Sequence, residues 1–89
     1  MKTAQVVIRN KLGLHARAAA KLVQLSSQFT ASIQLEKDGE VADAKSIMEV
    51  LMLAGTKDSH LKITAEGTDE EQAVAEIERL IGNKFEEDE

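Results

Sequence analysis

Gln5-Val6-Val7-Ile8-Arg9-Asn10-Lys11-Leu12-Gly13-Leu14-His15-Ala16-Arg17-Ala18 runs from a strand-like segment through a turn into an alanine-rich stretch. The pattern predicts a strand over Gln5–Arg9 and a helix from Ala16 to about Gln28. Ala18, Leu22, Leu25 and Phe29 recur at helical spacing, with Ala19 and Val23 beside them. His15 then falls at the helix start, where the first N–H groups have no intrahelical acceptor and the dipole is positive. Such a position favours anions. An imidazole there can act as a nucleophile, and Arg17 adds a fixed charge whose fork geometry suits phosphoryl oxygens. The stretch points to a histidine that carries a phosphoryl group.

Outward from it, Ser32–Lys37 alternates Ile33 and Leu35 with polar residues and reads as a strand. Asp38-Gly39 is a hairpin turn into a short strand over Glu40–Asp43. A fourth strand is expected from His60 to Glu66, with Leu61, Ile63 and Ala65 on one face. A second helix opens at Ser46-Ile47-Met48-Glu49, a capping box in which Glu49 would reach back to the cap, and ends near Gly55. A third opens at another box, Thr68-Asp69-Glu70-Glu71. It continues through Ala73, Val74, Ile77, Leu80 and Ile81 to a stop at Gly82-Asn83. The order β-α-β-β-α-β-α is an α+β arrangement. One-sided strand patterns favour a four-stranded, mainly antiparallel sheet with all three helices on one face.

With 89 residues the chain is expected to form one domain, 1–89, ending in a solvated acidic tail at 86–89. The absence of cysteine removes disulfides and thiolate metal sites and fits a reducing compartment. No signal-peptide core or bilayer-length apolar run appears, so the chain reads as cytoplasmic without membrane insertion. Net charge is −5 and Phe29 and Phe85 are the only aromatics, which argues against a nucleic-acid partner. His60 reads as structural or solvated, and no metal-ligand spacing is present.

Asn10-Lys11-Leu12-Gly13-Leu14-His15-Ala16-Arg17, Lys45-Ser46-Ile47-Met48 and Ala65-Glu66-Gly67 together resemble the HPr phosphocarrier family of the bacterial phosphotransferase system. The resemblance spans essentially the whole chain. Lys84-Phe85-Glu86-Glu87-Asp88-Glu89 looks closer to the nitrogen-related, NPr-like branch than to the sugar branch. It implies an open-faced β-sandwich with sheet order 1-4-2-3. It also implies a phosphoryl relay, with a covalent phosphohistidine, rather than a turnover enzyme. Enzyme I would pass phosphate from phosphoenolpyruvate to His15, and an enzyme IIA protein would receive it. No cofactor is implied, and the chain is expected to be a monomer forming transient complexes. Two departures stand out. Ala18 replaces the family's usual proline, and Gln24, Ser27 and Glu49 stand where sugar-branch carriers tend to have lysines. A less basic docking face should slow association with an acidic sugar-branch partner.

In such a relay a neutral imidazole attacks through its unprotonated nitrogen. The N–H groups of Ala16 and Arg17 hold the phosphoryl oxygens, and the Arg17 guanidinium offsets the transferring charge. Ala16, Ala20, Ile47, Met48, Leu51 and Met52 are expected to form an apolar docking patch, the methionines adapting to several partners. Ser46 has a sufficient role as helix cap. Its regulatory phosphorylation, known in the family, would here meet Asp43 and Glu49. Three further readings remain: a regulatory module whose phosphorylation state governs non-covalent binding, a sugar-branch carrier, and a small-molecule-binding α/β module. The last is disfavoured because convergent polar groups occur only at residues 13–17.

Overall fold

A computed structural model describes residues 1–86. Their elements run β1 (Lys2–Val7), α1 (Ala16–Ser26), β2 (Ser32–Lys37), β3 (Glu40–Asp43), α2 (Ile47–Met52), β4 (His60–Glu66) and α3 (Glu70–Gly82), followed by a 3₁₀ turn, Lys84–Glu86. The strands form one antiparallel sheet in the order β1-β4-β2-β3, with the helices on one face. Alternation decides which face is covered. Ile33, Leu35, Leu61, Ile63 and Ala65 are buried beneath the helices, whereas Thr3, Gln5, Ser32, Gln34, Glu36 and Lys62 lie on the open face. Ile8, Leu22, Ile77, Ile81 and Phe85 complete the core. Burying each such large side chain contributes about 1.5–3 kcal/mol.

The central elements lie where the sequence puts them, and the boundaries differ for local reasons. Strand β1 starts at Lys2 and stops at Val7 rather than spanning Gln5–Arg9, because it pairs from Lys2↔Ala65 to Val7↔His60 along β4. Ile8 continues the pairing irregularly, its N–H donating to Ser59 O at 2.9 Å and its carbonyl accepting from Asp58 N at 2.8 Å. Helix α1 ends at Ser26. The chain continues to Phe29 in tighter turns, Gln28 N to Leu25 O and Phe29 N to Ser26 O.

Helix α2 ends at Met52, short of Gly55, because Ala54 takes the left-handed conformation at φ 53°. Its N-terminal box is half as expected. Ser46 Oγ accepts from Glu49 N at 3.3 Å, but Glu49 Oε1 accepts from Asp43 N at 3.0 Å instead of returning to Ser46. Helix α3 is capped at Asp69, not Thr68. The Asp69 carboxylate leaves its own helix to accept from Thr30 N and Ala31 N, both at 2.8 Å, while Glu70 accepts from Gly67 N at 3.0 Å. The tail expected from residue 86 loses its first member to the final turn, since Glu86 belongs to the 3₁₀ segment. Residues 87–89 lie outside the described part. No described helix is long and apolar enough to cross a membrane.

Candidate functional site

The site grows out of the connection between β1 and α1. Asn10 is buried and donates from Nδ2 to Gly13 O at 2.8 Å, while Gly13 N donates to Asn10 O at 3.2 Å. That closes the turn predicted from Asn10-Lys11-Leu12-Gly13 and leaves Leu12 at its tip, 67% exposed. Gly13 holds φ +65°, and a Cβ there would strike the Gly55 carbonyl oxygen and come within 2.9 Å of Thr56 Cα. Only glycine satisfies both the dihedral and the contact. Leu14 then donates its N–H to Gly55 O at 2.9 Å and buries its side chain. The loop after α2 thereby clasps the loop before α1.

His15 emerges from this clasp as the N-cap of α1, with φ −75° and ψ 177°. Its carbonyl accepts from Ala19 N at 2.8 Å, its side chain makes no capping bond to the helix, and the residue is half-buried. Ala16, Arg17 and Ala18 follow as the first turn, whose N–H groups have no acceptor within the helix. No acidic residue lies in that turn, so nothing on α1 competes with an anion for those donors. Arg17 is exposed and no described carboxylate pairs with it. Ala18, noted above as a departure from the family's usual proline, is fully buried in a regular first turn. The arrangement can present a side-chain nucleophile, backbone donors and a guanidinium to one phosphoryl group.

The residues expected to dock partners divide by exposure. Ile47, Met48 and Met52 are 40%, 66% and 73% exposed, so α2 presents a true apolar outer face. Ala16 is exposed, Ala20 is half-buried, and Leu51 is half-buried against the core. Ser46 is half-buried and committed as an acceptor to Glu49 N. Gln24, Ser27 and Glu49 are all exposed. His60 lies exposed on the open face opposite Val7 in the sheet register. Among the described residues no group of three His, Cys, Asp or Glu side chains could hold a metal ion.

Three contributors escaped the sequence reading. Leu12 enters the sequence reading only as part of a turn, yet it is the exposed apolar tip of the site loop. Asn10 carried a turn signal but no sign that its side chain would brace Gly13. Gly55 looked like a helix stop. Its missing side chain instead admits Ile8 and Leu14, whose Cδ1 atoms would lie 2.6 and 2.9 Å from a Cβ there.

A family model described as the "PTS HPr component phosphorylation site" matches residues 2–83. A phosphocarrier protein HPr from Cupriavidus necator is 46% identical over 78 residues, 88% of each chain. A phosphocarrier protein NPr from Escherichia coli K12 is 42% identical over 84 residues, 93% of each. Among solved structures, an HPr from Thermoanaerobacter tengcongensis superposes over all of both chains, with a TM-score of 0.96 and 44% identity.

Proposed function

We propose, for a chain that belongs to the HPr family of phosphotransferase-system carriers, that His15 is the residue through which it relays a phosphoryl group. The observation that carries this reading is the placement of His15 at the N-cap of α1, in a loop fixed by Gly13 and Gly55. An imidazole nitrogen of His15 attacks the phosphorus of a phosphohistidine on enzyme I. The new N–P bond forms as the donor's N–P bond breaks, and the donor imidazole keeps the electron pair. The same exchange in reverse sense delivers the group to an enzyme IIA protein. The Ala16 and Arg17 N–H groups hold the equatorial oxygens, and the guanidinium of Arg17 lowers the cost of bringing two protein sites around one dianion. No general base is needed, because a neutral imidazole has no proton on the attacking nitrogen.

Docking is assigned to Ala16, Ala20, Ile47, Met48, Leu51 and Met52, a small and transient contact. We favour the nitrogen-type partners. Gln24, Ser27 and Glu49 keep the outer faces of α1 and α2 poor in lysine, although similar relatives carry both the HPr and NPr names. The relay operates as a cytoplasmic monomer. Ser46 serves as a cap, and a phosphate there would crowd Glu49, which already lies across to Asp43 N.

The test mixes the protein with phosphoenolpyruvate and either sugar-type or nitrogen-type enzyme I. It follows an acid-labile phosphoryl adduct by intact mass. His15→Ala should abolish the adduct, and a still-labelled variant overturns the site. Arg17→Ala should slow transfer by about 10²-fold, the scale of losing one charge-stabilising group, with melting unchanged. An unaltered transfer rate would remove Arg17 from the chemistry. More efficient labelling by the sugar-type enzyme would reassign the branch.

A further inference from the structure

Charge is segregated in this chain. Its first 35 residues hold Lys2, Arg9, Lys11, Arg17 and Lys21 and not one carboxylate, although the whole chain carries −5. The fold concentrates this asymmetry at the site. Segments 8–17 and 54–60 are joined by Ile8 N to Ser59 O, Asp58 N to Ile8 O and Leu14 N to Gly55 O, all at 2.8–2.9 Å. Together they carry Arg9, Lys11, Arg17 and Lys57 against a single carboxylate, Asp58. Arg9, Lys11 and Lys57 are exposed, and none is ion-paired among the described residues. Leu12, also exposed, lies next to Lys11 at the loop tip. These groups belong to the two clasped loops, whereas the apolar docking residues belong to α1 and α2.

We propose that Arg9, Lys11 and Lys57 form a basic ridge that steers an acidic protein surface, the rim of the phosphoryl donor, onto His15. This rests on the relay reading and adds a second flank to its interface. A protein of net negative charge is repelled by an acidic partner unless it turns a local positive field toward it. Exposed cations bordering an otherwise apolar contact supply that orientation and act on the encounter rate more than on the bound complex. An acidic protein fits better than a nucleic acid, because the ridge has no aromatic residue for stacking and the rest of the chain repels a polyanion.

The experiment compares wild type with K11E/K57E in two measurements against enzyme I. One is the rate of phosphoryl transfer at low and at saturating carrier concentration. The other is the association rate of His15→Ala backgrounds, which cannot accept the group, as a function of ionic strength. The double variant, at two exposed loop positions, should melt as wild type does; K11Q/K57Q serves in its place if it does not. Association should fall about tenfold at low salt, with the difference shrinking as salt screens it, and transfer at saturation should be unchanged. Equal association rates, or a wild-type rate indifferent to salt, overturn the ridge while leaving the relay intact. Salt-dependent association without any phosphoryl transfer sinks the relay but not the ridge. Inhibition by inorganic phosphate at constant ionic strength, or comparable binding of a single-stranded oligonucleotide, would show an anion site in place of a protein-steering surface.

Discussion

Ala54 and Gly55 exchange the roles that their residue types suggest. The left-handed position that ends α2 is held by Ala54 at φ 53°, where a Cβ is crowded by its own backbone. Gly55 sits one step later because Ile8 and Leu14 occupy the space of a side chain. Ala54→Gly should therefore stabilise the fold by up to about 1 kcal/mol, read as a rise of a few degrees in Tm. Gly55→Ala should destabilise it, and a variant of unchanged Tm in either direction would refute the assignment. The terminator of α2 was legible to within a few residues, since a glycine follows a helical run. Which residue adopts the left-handed conformation was not, because Ile8 and Leu14 reach Gly55 from another part of the chain. His15 and Arg17 were legible for the opposite reason. Their position depends on a strand–turn–helix junction encoded within about a dozen contiguous residues.

Caps and turns tie the elements together through contacts that no local pattern carries. Asp69, at the start of α3, accepts from Thr30 and Ala31 before β2, and Lys45 Nζ donates to Phe29 O at 2.8 Å on the same turn. The Thr30 N–H bond, followed by that of Ala31, holds the Asp69 carboxyl below its ordinary range, against the opposing pull of partial burial. Glu70 is lowered likewise, first by Gly67 N–H and then by the Met1 ammonium at 2.9 Å. A depressed folded value means that the stabilisation is fully present above the unfolded carboxylate range, near about pH 4, and is lost as pH falls through the folded value. Asp69→Asn should lower stability at neutral pH and flatten its decline in acid, so that the two curves converge at low pH. Urea unfolding across a pH series measures this, and parallel curves would contradict it. The expected capping box at Thr68–Glu71 had the right chemistry in the wrong place. An aspartate can cap its own helix or bind across to another turn, and only packing chooses.

On the scale of the whole molecule, the 3₁₀ turn after α3 is anchored by Phe85. It is fully buried although Lys84, Phe85 and Glu86 all have positive φ, at 57°, 54° and 64°. Burial of the ring offsets that backbone strain, and Lys21 Nζ bonds to Phe85 O at 2.8 Å, fastening this turn to α1. Phe85→Ala should cost about 3–5 kcal/mol, a large share of a small domain's stability. A loss below about 1 kcal/mol in denaturant titration would show that the ring is not part of the core. Phe85 lies beyond the stop of α3 and belongs to no periodic pattern, so nothing adjacent to it announced its burial. By itself the sequence determined the order of strands and helices, which face of each is covered, and the histidine at the mouth of α1. Those features follow from period, turn chemistry and dihedral preference among near neighbours. The sheet order was supplied by family resemblance and is realised by long-range pairing. Tertiary structure alone decided the clasp of Gly13 on Gly55, the reach of Asp69 to Thr30, the seating of Phe85 and the gathering of Arg9, Lys11 and Lys57. Each joins residues far apart in the chain, where competing partners differ by only a few kcal/mol and packing selects among them.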